Sequence, residues 1–165
     1  MDVFFEQLIT IKKDIKTYLA YIGIAISAIL LMTVSLMLLG NLAVVVAFLV
    51  LYGAYKLYSM LNIEYEYIIT NSTMDIDKII AKSSRKRILS FELSEVERIE
   101  KYHPQLPQDI LKDTSFACNK DDQNAYVLII HPDGKAKQSI VIAPDDRMRD
   151  AMKKFLPKYV ADNLN

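Results

Sequence analysis

The chain has one cysteine, two histidines, four glycines and no tryptophan in 165 residues. Its lone thiol, Cys118, excludes an intrachain disulfide and fits a reducing compartment. His103 and His131 form no metal-ligand pattern with Cys118, so no metal site is expected. Gly23, Gly40 and Gly53 lie in one apolar stretch, leaving only Gly134 elsewhere and no glycine-rich phosphate loop. Net charge is zero, and no aromatic-basic pattern stands out, which argues against nucleic acid as a partner. The acidic pairs Asp75/Asp77, Asp121-Asp122 and Asp145-Asp146 read as a solvated strand face, a turn and a helix start. No convergent nucleophile or base emerges, so neither enzyme activity nor a cofactor is expected.

What is present is a stretch from 18 to 61 whose only ionisable side chain besides tyrosine is Lys56. As one straight helix it would span roughly 66 Å, about twice a bilayer's hydrocarbon thickness. A transmembrane hairpin is therefore expected, with helices over 18–39 and 42–61 and an uncharged turn at Gly40-Asn41. Lys12, Lys13 and Lys16 precede it, and Lys56, Lys78 and Lys82 mark its far end, so the positive-inside rule places both termini in the cytoplasm. Tyr18, Tyr21, Tyr52, Tyr55 and Tyr58 form a belt at the same membrane interface, with Lys56 snorkelling to it or, alternatively, lining an ion pathway. Antiparallel pairing from the turn sets Ser27 and Ala28 opposite Ala54 and Gly53, small residues that permit close contact. A cleaved signal peptide fits poorly, because the run is long and lacks an A-x-A site.

The segment 1–17 is amphipathic: Val3, Phe4, Leu8, Ile11 and Ile15 recur at helical spacing. It is expected as a helix on the cytoplasmic interface, or packed against a domain or partner. From 62 to 165 the composition is that of a soluble domain, with 16 Lys+Arg against 17 Asp+Glu. Period-two alternation marks strands at 63–69, 74–80 and 87–93, with turns at Asn71-Ser72 and 81–85 and a slip at Ile79-Ile80 that suggests a bulge. Residues 94–102 suit a strand or a helix, the strand being favoured by its neighbours. Phe116–Asn119 is a short strand candidate, and a helical turn is expected at Asp109–Lys112. The apolar run 125–131 reads as a central strand, with Pro132-Asp133-Gly134 turning the chain into 136–143. Asp145 then opens a C-terminal helix over 145–156, limited by Pro157.

About seven antiparallel strands capped by one helix resemble a pleckstrin-homology-like (PH-like) domain. The resemblance covers 62–160 and is carried by Tyr65-Glu66-Tyr67-Ile68-Ile69-Thr70, Met74-Asp75-Ile76 and 88–99. As a whole, the chain is similar to Gram-positive bacterial membrane proteins with two N-terminal transmembrane helices and a bacterial PH-like domain. That resemblance implies a fold and transfers no catalytic residue.

The candidate site is the basic loop Lys82, Ser83, Ser84, Arg85, Lys86 and Arg87. Strand 63–69 leaves the membrane and its hairpin partner returns, which brings this loop back to the headgroups, where cations attract anionic lipid. A solvated loop is the alternative. The function expected is a membrane-anchored, non-catalytic interaction module for anionic headgroups or a cytoplasmic partner protein. A subunit or assembly factor of a larger membrane complex is the alternative, and a membrane enzyme ranks third.

Overall fold

A computed structural model describes residues 3–107, 114–132 and 136–164. The helical turn expected at Asp109–Lys112 and the Asp133-Gly134 part of the expected hairpin turn lie outside them. The chain forms two compact units: one of residues 1–11, 64–79 and 85–165, the other of 12–63 and 80–84.

The first unit is built on two four-stranded sheets. One has the order β1 (Phe4–Thr10), β2 (Ile63–Thr70), β3 (Thr73–Ile80), β4 (Ser84–Glu92). The other has the order β5 (Val96–Lys101), β7 (Tyr126–Ile130), β8 (Gln138–Ile142), β6 (Thr114–Phe116). The sheets share a core of Tyr67, Ile69, Met74, Ile76, Leu128 and Ile140, covered by α3 (Asp146–Lys153) and α4 (Lys158–Ala161). Every residue of β7 is buried, as its apolar run requires. The Tyr67 hydroxyl joins the sheets internally, donating to the Ala117 carbonyl at 2.7 Å and accepting from the Ala143 N–H at 3.2 Å.

Within the amphipathic segment 1–17, Phe4–Thr10 is a strand and not a helix, antiparallel to β2 from Phe4↔Thr70 to Thr10↔Glu64. Phe5, Gln7 and Ile9 face inward and Phe4, Glu6 and Leu8 outward, so period two prevails over the overlapping helical spacing once β2 supplies a partner. Gln7 fastens the strand to the start of the C-terminal helix, donating to the Ala143 carbonyl at 3.0 Å and accepting from the Asp145 N–H at 2.9 Å. The helix beginning at Ile15 starts where Asp14 accepts from the Thr17 N–H at 2.9 Å.

Smaller corrections have similar local causes. Within 94–102, Val96–Lys101 is strand β5, entered through a 3-10 turn over Leu93–Glu95 in which Glu92 and Glu95 cap each other reciprocally. β5 carries a register shift of its own, between Val96 and Arg98. The short strand is Thr114–Phe116, before the expected span, and it pairs in parallel with β8. The C-terminal helix ends at Lys153 rather than at 156, and Pro157 opens the separate turn Lys158–Ala161. Among the described residues eight strands replace the expected seven, because β1 comes from the segment assigned to the membrane surface.

In the second unit, the expected pair of separate helices is instead one helical run of 46 residues, Ile15–Met60, with a hydropathy of 2.6 in its most apolar window. Within it, α1 (Ile15–Leu39) and α2 (Ala43–Met60) are joined by a 3-10 turn, Gly40–Leu42, with no loop. Gly40 has φ 51° and ψ −121°, a conformation open to glycine and costly for other residues. The run doubles back: the Tyr21 and Tyr58 ring centroids are 4.5 Å apart, where a straight helix would separate them by about 55 Å. Ala28 is buried, but Ser27 is exposed and donates its hydroxyl to the Ile24 carbonyl at 2.9 Å. A Cβ added to Gly53 would meet nothing within 4 Å, so that glycine is not what brings the helices together.

Candidate membrane-interface site

The tyrosine end of the helical run is an aromatic and cationic collar. Tyr18 meets Tyr21 edge-on at 6.4 Å, and Tyr21 stacks on Tyr58. The Lys13 ammonium lies 5.0 Å from the Tyr21 ring centroid and 5.8 Å from that of Tyr58, while Lys56 lies 5.7 Å from Tyr52. A hydrogen bond with Tyr21 holds the exposed Lys13 ammonium above the usual lysine range. Tyr52 and Tyr55 are exposed, as apolar bodies with polar tips are at an interface.

Asn62 ties this collar to the loop at 80–84. Its backbone carbonyl accepts from the Ala81 N–H at 2.9 Å, and its side-chain oxygen accepts from the Tyr21 hydroxyl at 3.4 Å. Ala81 and Lys82 both have φ 55°, and the Ser83 N–H donates to the Ile80 carbonyl at 3.2 Å, closing a two-residue turn. Such a turn normally takes Asn-Gly, and a non-glycine residue there carries roughly 1–2 kcal/mol of backbone strain. The consequence is a fixed, exposed Lys82.

The six residues of the basic loop differ in their ion pairs. Lys82, Ser83 and Ser84 belong to the helical unit, and Arg85, Lys86 and Arg87 to the β unit. Arg85 meets Glu66 at 2.8 Å; Arg87 meets Asp75 at 3.0 Å and Asp77 at 3.1 Å. Glu66 and Asp77 are each only 3% exposed, so these arginines neutralise carboxylates that would otherwise be buried unpaired. Burial pushes the Glu66 carboxyl above its usual range, helped by a hydrogen bond with Glu6 and opposed by Arg85. Among the described residues neither Lys82 nor Lys86 makes an ion pair.

The sequence pointed to the tyrosines, Lys56 and the basic loop, but not to Asn62 as their junction or to the acidic partners of Arg85 and Arg87. The signal for the latter was present: Glu66, Asp75 and Asp77 alternate on the strands preceding a run of arginines. The remaining chemistry-bearing groups are dispersed. His103 is an exposed loop residue, and His131 borders a cleft of about 400 Å³ with Glu95, Glu97 and Tyr159. Lys137 engages Glu97 at 2.8 Å and lowers its pKa, and Glu95 accepts from the Glu92 N–H at 2.9 Å. Burial raises the Cys118 thiol to about 12, which makes it inert. Among the described residues no group of three His, Cys, Asp or Glu side chains is placed to hold a metal.

Two four-stranded, largely antiparallel sheets followed by a C-terminal helix define the β unit as a PH-like domain. The profile of the bacterial PH-like domain family DUF6106 matches residues 1–162, and the chain belongs to that family. The match includes β1 and the apolar helical run, which is long and apolar enough to cross a membrane. No curated protein and no solved structure matches the chain.

Proposed function

We propose that the protein is a membrane-anchored, non-catalytic interaction module whose helical run crosses the bilayer twice, leaving both termini in the cytoplasm. The observation that carries this is the pairing of Thr10 with Glu64. Neighbouring strand residues lie about 5 Å apart, so the chain leaves and re-enters the sheet at one place and must cross any membrane an even number of times. At 25 and 18 residues, α1 and α2 are about 37 and 27 Å long, close to the roughly 30 Å hydrocarbon thickness. Lys12, Lys13, Lys16, Lys56 and Lys82 gather in this unit against one acid, Asp14, which favours a cytoplasmic collar. PH-like membership supports a lipid or protein ligand, and the loop at 80–84 presents Lys82 to anionic headgroups.

A second reading, a subunit of a larger membrane complex, is favoured by one feature. A groove of about 310 Å³ between α1 and α2, lined by Met32, Leu36, Ala43, Ala47 and Phe48, suits a further helix or an acyl chain.

Single cysteines at Asn41→Cys and Ser83→Cys, probed with a membrane-impermeant maleimide in sealed inverted vesicles, test the topology. The buried Cys118 contributes little background. Ser83→Cys is expected to label in intact vesicles, and Asn41→Cys only after they are opened. Labelling of both from the same side overturns the two-span reading.

A further inference from the structure

Charge divides between the two units in a way the whole chain conceals. The helical unit has five lysines and one aspartate, net +4; the remaining residues have 15 Lys+Arg and 19 Asp+Glu, net −4. The only acid of the helical unit, Asp14, is occupied in capping α1 through the Thr17 N–H and hydroxyl. An anionic surface therefore finds its attraction in the collar, not in the domain as a whole.

We infer that the collar holds one anionic phospholipid headgroup between Lys13 and the Ala81-Lys82 turn, with Asn62 and Tyr21 as positioning residues. This deepens the membrane reading and rests on it. Lys13 stands over the Tyr21 and Tyr58 rings, which take up one side of its ammonium and leave its other N–H donors for a phosphate oxygen. The Tyr21 hydroxyl reaches the Asn62 side chain, and the Asn62 backbone holds the Ala81 N–H. One short chain of hydrogen bonds thus connects the Lys13 aromatic clamp to the turn that presents Lys82. The turn keeps Ala81 and Lys82 at φ 55°, so Lys82 leaves a fixed backbone point and not a mobile loop. Ser83, exposed beside it, adds a hydroxyl donor. Arg85 and Arg87 are outside this site because Glu66, Asp75 and Asp77 already satisfy them.

The test uses the full chain in mixed micelles containing phosphatidylglycerol and phosphatidylcholine, with bound lipid counted by native mass spectrometry. Wild type is expected to retain one phosphatidylglycerol in preference to phosphatidylcholine. Lys13→Gln and Lys82→Gln are each expected to weaken that retention about fivefold. Lys86→Gln leaves it unchanged, and Asn62→Ala weakens it while both lysines remain. Equal retention by wild type and both lysine variants, or no preference for phosphatidylglycerol, overturns the site. Displacement of the lipid by millimolar inorganic phosphate also overturns it, by assigning the cradle to a free anion. Maleimide labelling of Asn41→Cys in sealed inverted vesicles, before and after they are opened, reports the topology separately, so a failed lipid site remains distinguishable from a failed membrane reading.

Discussion

The two units of this chain apply the same hydrophobic chemistry in opposite directions. In the β unit large side chains such as Tyr67, Ile69 and Leu128 are sealed inside, while in the helical unit Leu30, Met37 and Phe48 stand outward. Ala28 and Ala43 are the only buried hydrophobic residues described on the helical run. A helix pair leaving that much apolar surface bare in water would associate or aggregate, a contrast that supports the proposed membrane reading. On the membrane reading proposed above, the helical backbone satisfies itself within hydrocarbon and charge is confined to the collar.

The largest expected effect comes from applying one substitution to both units. Leu128→Ala removes a fully buried side chain and should cost roughly 2–5 kcal/mol of stability. Leu30→Ala, at a position 60% exposed, should cost less than about 1 kcal/mol. Thermal unfolding of the full chain in micelles, followed together with hydrogen exchange of the β7 amides, measures both. Equal losses would mean that the outward face of α1 is packed in the native protein, and the comparison would fail.

Most of this contrast was legible in the sequence. The apolar run, its Gly40 turn and the tyrosine belt are composition and periodicity on one contiguous stretch, which is where local patterns are strongest. The β unit was legible as strands but not as pairings. Whether 3–10 is helix or strand depends on β2, which follows the whole helical run in sequence; Phe5, Gln7 and Ile9 suit either period until that partner is known. The candidate site divided the same way. Four cations in six residues are visible in any reading, but that Arg85 and Arg87 are neutralised depends on Glu66, Asp75 and Asp77 arriving from neighbouring strands.

A second, smaller effect tests how the β unit tolerates buried charge. Because burial raises the Glu66 carboxyl above its ordinary value of 4.5, the folded chain binds this proton more tightly than the unfolded chain does. Its contribution to stability is therefore fully present below about 4.5 and is lost as pH rises through the folded value. Glu66→Gln cannot ionise. The stability of wild type relative to Glu66→Gln is expected to fall as pH rises above about 4.5. A difference that stays constant, or that grows in favour of wild type, would show that Arg85 outweighs burial.

The smallest expected effect is at Gly53, and there the direction matters more than the size. Spacing from the turn assigns Gly53 to the contact between α1 and α2, where a larger side chain would force the helices apart. The space around it says otherwise, since an added Cβ meets nothing within 4 Å. Gly53→Leu then loses no packing inside the chain and gains helix propensity, about 0.8–1 kcal/mol in a helix interior. Unfolding in micelles is expected to show the variant at least as stable as wild type. A loss of more than about 1 kcal/mol would require something else to occupy that open face. Because the chain's own atoms leave the space empty, the occupant would have to be a helix of another molecule, and the helical run would then be an assembly surface as well as an anchor.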